Sequence, residues 1–336
     1  MTDHDDKELL DGHKLAPEGE LETALRPRSI AEFVGQRPVI ENLEVFIKAA
    51  KGRNEPLDHL LFSGMPGLGK TTLANLVAGE MGVGMHATSG PALERAGDLV
   101  SMLTNLARGD VLFIDEIHRM PRPVEEYLYS AMEDFHIDIV LDQGPAARSM
   151  RIGLKHFTLI GATTREGLLT APFRARFGVL ERLDPYPADD LTTIVLRSAK
   201  LLEVPIEDEA AALVAERARG TPRVANRVLK RLRDVAQVKG DGRITTGIAR
   251  EGLRMLGIDD HGLTELDRRI LRAIAKQDGP LGLKTIAVAV GEEEVTIEDS
   301  YEPHLIREGL LQKTPRGRVI TERGRAVVGE QREGMF

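Results

Sequence analysis

The 336-residue chain has no cysteine and no tryptophan, and only 4% of it is aromatic. The first absence excludes a disulfide framework, a thiolate metal site and a cysteine nucleophile. Nor is there an apolar run long enough to cross a bilayer, and the first residues are acidic where a secretory leader would be basic and then apolar. These absences point to a cytosolic protein. Excess positive charge is missing too: the net charge is −8, which at first sight disfavours a nucleic-acid partner. Most of that charge is local. Residues 1 to 24 hold Asp3, Asp5, Asp6, Glu8, Asp11, Glu18, Glu20 and Glu22 against Lys7 and Lys14. The rest of the chain is close to neutral, so a DNA partner stays open, and the polar stretch 1–20 is expected to be a disordered tail.

What the chain does have is glycine in a telling place. Gly64-Met65-Pro66-Gly67-Leu68-Gly69-Lys70-Thr71 follows the apolar run Leu60, Leu61, Phe62 and opens into a helical pattern through Leu73, Leu76 and Val77. Strand, glycine loop and helix in that order are the context a phosphate-binding loop requires. Its glycines let backbone N–H groups turn inward onto phosphate oxygens, while Lys70 neutralises β/γ charge and the Thr71 hydroxyl serves Mg2+. A nucleoside triphosphate is the expected ligand.

A second run, Val111-Leu112-Phe113-Ile114-Asp115-Glu116, is an apolar strand ending in two carboxylates. Ligand chemistry in parallel α/β sheets sits at that end of the strand. Asp115 is placed to hold Mg2+, directly or through water, and Glu116 to polarise an attacking water. A third strand, Phe157 to Gly161, runs into Ala162-Thr163-Thr164-Arg165, where Thr163 or Thr164 suits sensing of the γ-phosphate. Pro172-Phe173-Arg174-Ala175-Arg176 then sets two arginines two residues apart; a guanidinium supplied in trans to a γ-phosphate is worth ~10³ to 10⁵ in rate. Gly220-Thr221-Pro222-Arg223 reads as a helix start that projects Arg223, able to swing onto phosphates, and the following face (Arg227, Lys230, Arg231, Arg233) reads as a solvated basic surface.

Around these motifs the chain falls into three zones after the tail. Residues 21–185 alternate apolar strands with helical patterns, which predicts a parallel α/β sheet. Residues 186–257 carry no strand signal and place Leu213, Val214, Val224, Val228, Leu232 and Val235 at helical spacing, which predicts a small helical domain. Residues 258–336 begin with a helix through Leu266, Ile270, Leu271 and Ile274, continue with two short helices and end in a hairpin near Val319 to Thr321. Three helices and a hairpin predict a winged helix.

In order and spacing these elements resemble the AAA+ class of ATPases, and within it the bacterial motors that drive Holliday-junction branch migration. The resemblance rests on Arg26-Pro27, Phe33-Val34-Gly35-Gln36, Asp58-His59-Leu60-Leu61, the phosphate loop through Thr72, Asp115-Glu116-Ile117-His118, Gly161 to Arg165, Gly220 to Arg223 and Thr314-Pro315-Arg316-Gly317-Arg318. Only the first 20 or so residues fall outside it. It implies an AAA+ ATPase domain, an all-α lid and a winged helix, with ATP and Mg2+ as cofactors. It places Leu25, Arg26, Gly67, Leu68, Gly69, Lys70, Thr71, Thr72, Glu133, Asp134, Phe135, Tyr186 and Arg223 at the nucleotide. It implies Arg176 as the finger, Arg223 as second sensor, and a hexameric ring working with a junction-binding protein and a junction resolvase. The segment 137–152 would be the hairpin that docks the junction-binding partner, and its pattern agrees: Ile137, Ile139 and Leu141 alternate, Asp142-Gln143-Gly144-Pro145 can turn, and Met150 and Ile152 follow. Met65 stands where the family usually has proline, and Glu294 where it tends to have arginine.

Six acids and no base lie between Glu292 and Glu302, where a winged helix carries its recognition helix, and the balance reverses over Lys313, Arg316, Arg318, Arg323 and Arg325. An acidic helix in a major groove would meet phosphate repulsion. The wing is therefore expected to touch DNA through Lys313, Arg316 and Arg318, without reading bases. Taken together the residues predict an ATP-driven DNA translocase of recombination and repair. A clamp-loader-type ATPase and a winged-helix transcription regulator switched by ATP are the alternatives.

Overall fold

The computed structural model describes residues 24–140 and 149–329. The acidic tail and the Leu141 to Pro145 part of the expected hairpin lie outside them. The chain forms two compact units, one of Arg26–Gly64 with Leu68–Asp184, the other of everything from Pro185 together with Leu25 and Met65–Gly67.

The first unit is built on five parallel strands, in the spatial order Met85–Ser89, Val111–Asp115, Thr158–Thr163, Leu60–Ser63 and Val179–Arg182. The inner strands β1 (Leu60–Ser63), β3 (Val111–Asp115) and β6 (Thr158–Thr163) are the three apolar runs, and their hydrophobic positions are buried throughout because the middle of the sheet is covered on both faces. The edge strands β2 (Met85–Ser89) and β7 (Val179–Arg182) carry polar residues and are partly exposed, so the sequence shows no comparable run there. Helices α1 (Arg37–Arg53), α2 (Lys70–Met81), α3 (Ala96–Asn105), α4 (Arg122–Glu133) and the single turn α5 (Ala171–Arg174) complete the unit. Leu61, Leu112, Ile114 and Leu159 from the strands share one core with Leu99, Leu128, Ala131, Phe157 and Phe173. After α4 the chain pairs β4 (His136–Val140) with β5 (Ser149–Gly153) antiparallel, setting Ile137 opposite Ile152 and Ile139 opposite Met150.

The second unit opens with α6 (Ala188–Leu201), α7 (Asp208–Arg217), α8 (Pro222–Lys239) and α9 (Thr246–Met255). Val214, Val228 and Leu232 are fully buried there, as their spacing predicts. Two details differ from expectation. Ile206 and Ile244 form a parallel bridge, and Lys230, expected on a solvated face, is buried at 8% exposure because α8 turns it into the unit. Then come α10 (Glu265–Ala275), α11 (Leu283–Val290) and a third helix broken into Glu294–Thr296, a π turn Ile297–Tyr301 and α12 (Glu302–Arg307). The wing is β8 (Leu311–Thr314) and β9 (Gly317–Ile320), with Leu281 bridged to Arg318 as a third, short partner. A closing helix α13 (Glu322–Val328) was not foreseen. The helical segment and the winged helix belong to the same compact unit. Their junction is charged and buried: the Arg219 guanidinium donates to both carboxylate oxygens of Asp267 and to the Gly262 carbonyl, and Arg307 donates to the Arg219 carbonyl at 2.8 Å.

Candidate functional site

The glycine loop leaves β1 at its carboxyl end and enters α2 at Lys70, the expected strand, loop and helix. Gly67 and Gly69 take φ of +78° and +106°, conformations that cost an L side chain steric strain. At Gly67 there is no room either: a Cβ would lie 2.8 Å from Thr221 Cγ2 and 2.9 Å from Arg223 Cβ. Lys70 is 7% exposed, and its ammonium donates to the Gly64 carbonyl at 2.7 Å, which draws the loop around the charge. Leu68 is fully buried and anchors the loop by its side chain, while Thr71 and Thr72 stand half-exposed in the first turn of α2.

Neighbouring strands bring the other residues to the same sheet end. Asp115 ends β3, half-buried, and its Oδ1 accepts the Glu116 N–H at 2.9 Å. Glu116 occupies the left-handed region at φ +47° and holds the Arg119 guanidinium at 2.9 Å. Thr163 ends β6 opposite Ser63 of β1. Its side chain is fully buried and engaged twice, with the His118 Nδ1 at 2.9 Å and with the N–H of Arg165 at 3.0 Å. Thr164, one residue on, is half-exposed. The link from Thr163 to His118 joins the threonine strand to the Asp-Glu turn. Sequence reasoning assigned no role to His118, although its place three residues after Asp115 was the available signal.

Arg176 is mostly covered, with its side chain 20% exposed. It donates to the Pro172 carbonyl at 2.7 Å and to Glu133 Oε2 at 3.1 Å, and its guanidinium lies 4.3 Å above the Tyr129 ring. Arg174 instead faces Glu166 at 3.8 Å. Of the other residues expected near nucleotide, Glu133 and Asp134 are exposed, and Phe135 packs on His156 with ring centroids 4.0 Å apart.

In the second unit, Tyr186 is buried and its N–H donates to the Gly220 carbonyl at 2.9 Å. The Leu25 carbonyl accepts from Arg197 at 3.0 Å. Pro222 takes the first position of α8, as expected, so Arg223 stands in the first turn, half-exposed.

Two expectations are corrected. Ile137 is fully buried in the core of its unit, so it anchors the β4–β5 hairpin and is closed to a docking partner. Met150 is exposed and Ile152 half-exposed, and Leu141 lies outside the described residues. Arg318 is 8% exposed and forms a two-contact ion pair with the buried Glu302, with Glu298 a further 3.5 Å away. Lys313 reaches Glu298 at 2.7 Å, whereas Arg316 is exposed at the turn. The acidic helix and the basic wing, read as separate surfaces, partly neutralise one another because α12 and the hairpin pack together.

Family models match almost the whole chain: the "Holliday junction DNA helicase RuvB P-loop domain" over residues 25–183, the "RuvB AAA lid domain" over 186–259 and the "RuvB C-terminal winged helix domain" over 260–329. The Holliday junction branch migration complex subunit RuvB of Myxococcus xanthus is 59% identical over 305 residues, which cover 90% of this chain and 89% of that one. A solved mutant of Thermotoga maritima RuvB superposes with a TM-score of 0.85 at 48% identity, covering 91% of this chain and 99% of that one. The structure described as the Thermotoga maritima RuvB Holliday junction branch migration motor gives 0.84 at the same identity, over 92% and 99%. Neither the clamp-loader nor the regulator reading gains from these likenesses. With phosphate loop, lid and wing each matched in turn, the chain belongs to the RuvB family of Holliday junction branch-migration motors, AAA+ ATPases that use nucleotide to move four-way DNA junctions.

Proposed function

We propose that this chain acts in the cytoplasm as a homo-hexameric ring that couples hydrolysis of Mg2+-ATP to movement of duplex arms, docked on RuvA and working alongside the resolvase RuvC. The reading divides the chain into an acidic tail at 1–20, an ATPase domain at 21–185, a lid at 186–257 and a DNA-binding winged helix at 258–336. One observation carries the nucleotide part: adjacent strands β3, β6 and β1 deliver Asp115, the Thr163-Thr164 pair and the glycine loop to one end of the sheet.

The residues fit the group they would hold. Magnesium prefers hard oxygen donors and leans on substrate phosphates, and Asp115 with the Thr71 hydroxyl supplies that donor set next to the Lys70 ammonium. Bound there, magnesium ATP would supply an electrophilic γ-phosphoryl group and a good leaving group. Lys70 neutralises phosphate charge. Glu116 accepts a proton from the attacking water once Arg119 releases it, and Thr164, whose neighbour Thr163 is committed to His118, offers a hydroxyl towards the γ-phosphate. Leu25, Arg26, Tyr186 and Arg223 are further nucleotide contacts, and Arg176 serves the nucleotide of the adjoining subunit. Arg316, with Lys313, contacts DNA phosphates without regard to sequence, as a motor that passes any sequence requires.

The deciding experiment is branch migration on a synthetic four-way junction with ATP and Mg2+, with and without RuvA. Movement that depends on hydrolysis and is stimulated by RuvA is expected. Junctions left unmoved by a chain that still hydrolyses ATP in the presence of RuvA would overturn the reading.

A further inference from the structure

Helix α4 sets Glu125, Tyr129 and Glu133 four residues apart, one stripe on its surface. Glu125 is 8% exposed, a carboxylate that must be satisfied by hydrogen bonds. It receives two: the Tyr129 hydroxyl and the Thr170 hydroxyl at 2.7 Å both donate to its Oε1. Thr170 is also the N-cap of α5, accepting the Phe173 N–H at 3.3 Å, and the Phe173 ring sits 5.8 Å from that of Tyr129. One buried carboxylate thus fixes both the tyrosine ring and the turn that carries Pro172 and leads to Arg176. Burial and the bond to Glu125 hold the phenol proton more tightly than usual, so Tyr129 stays a donor.

Arg176 rests on this platform. Its guanidinium lies over the ring at 4.3 Å, with one edge on the Pro172 carbonyl and another on the exposed Glu133. Its buried Nε has no hydrogen-bond partner among the described residues, an arrangement that stability alone would select against. A cation held over an aromatic face keeps its orientation without spending an N–H donor on that contact.

We infer that Tyr129 is a positioning residue for Arg176: its ring, locked by Glu125 and Thr170, orients the guanidinium that reaches the nucleotide of the neighbouring subunit. This rests on the reading of Arg176 as the finger. The platform sets the finger's geometry, so loss of the ring slows turnover in the neighbour and leaves nucleotide binding in the same subunit alone.

The test compares steady-state ATPase of the full-length Arg176→Ala, Tyr129→Ala, Tyr129→Leu and Tyr129→Phe chains, each alone and mixed with Lys70→Ala. The leucine variant keeps bulk and removes only the π face, which guards against a folding defect. Tyr129→Ala and Tyr129→Leu are expected to lower kcat about tenfold, the worth of a desolvated cation–π contact, with KM for ATP within about twofold. Tyr129→Phe keeps the π face but gives up the hydroxyl lock, so it should recover part of the loss and fall between the leucine variant and the parent chain. Lys70→Ala subunits carry an intact platform and finger, so mixing should restore turnover to the Tyr129→Leu chain. Wild-type turnover in Arg176→Ala would overturn the finger reading and this proposal with it. An impaired Arg176→Ala beside wild-type turnover in Tyr129→Leu would overturn the platform and leave the finger standing. Impaired Tyr129→Leu that Lys70→Ala cannot rescue, despite co-assembly, would make Tyr129 a structural residue of its own domain and overturn the proposal.

Discussion

Lys70 and Asp115 belong to one unit and one sheet end, yet their environments divide the labour. Lys70 is buried at the loop and bonded to the Gly64 carbonyl, and on the proposed reading it contributes to binding. Lys70→Ala should weaken nucleotide affinity in a direct titration, whereas Asp115→Asn should keep appreciable binding and lose nearly all turnover. Full activity in purified Asp115→Asn would refute the metal assignment. A second residue-level prediction concerns His304, 4% exposed and facing Arg307 at 3.1 Å. Burial foremost, then the charges of Arg219 and Arg307, push its pKa from 6.5 to about 2. The native ring therefore stays neutral where the unfolded ring takes up a proton. Stability tied to this group is fully present above pH 6.5 and is lost as pH falls from 6.5 towards 2, at up to about 1.4 kcal/mol per pH unit. In denaturant titrations between pH 7.5 and 5, His304→Gln should lose less stability than the parent chain, and parallel slopes would remove His304 as the cause.

At the scale of elements, the wing illustrates how packing redistributes charge. Arg318 and Arg316 are two residues apart on one hairpin, but Arg318 faces the buried Glu302 and Arg316 faces solvent. Arg316→Ala should weaken binding about equally on duplexes of unrelated sequence and flatten the slope of log K against log salt by roughly one unit per lost contact. A loss confined to one duplex would mean that the wing reads bases. Arg318→Ala should behave differently and destabilise the winged helix by about 3–5 kcal/mol, because it strands a buried carboxylate. Thermal unfolding of the two variants separates the roles. Glu294 is exposed at the start of the broken helix, so Glu294→Arg should tighten DNA binding modestly and steepen the same salt slope.

Across the whole molecule, the lid segment and the winged helix share a compact unit, and the Arg219–Asp267 pair is the charged bolt between them. Asp267 is fully buried, caps α10 through Thr264 and receives the Arg219 guanidinium, so it serves a helix end and a junction at once. Asp267→Ala should cost about 3–5 kcal/mol and open the 257–264 link to protease and to hydrogen exchange before the ATPase unit unfolds. Unchanged protection across that link would show that apolar packing, not the ion pair, holds the segments together.

Elements whose signals are local were legible in the chain alone. The glycine loop, the apolar runs that became β1, β3 and β6, the proline start of α8 and the amphipathic α10 are each dictated within about ten residues, by backbone sterics or by burial on one face. Strands β2 and β7 left no such mark, since an edge strand is buried on too little of its surface to demand an apolar run. Tertiary structure alone decided which charges are free. Lys230 and Arg318 each sit in a pattern that reads as surface and are buried in the folded chain, as is the apolar Ile137 of the expected docking hairpin. The same holds for Thr163 with His118 and for Arg176 on Tyr129: 45 and 47 positions separate the partners, and only the sheet order and the α4–α5 packing bring them within bonding distance.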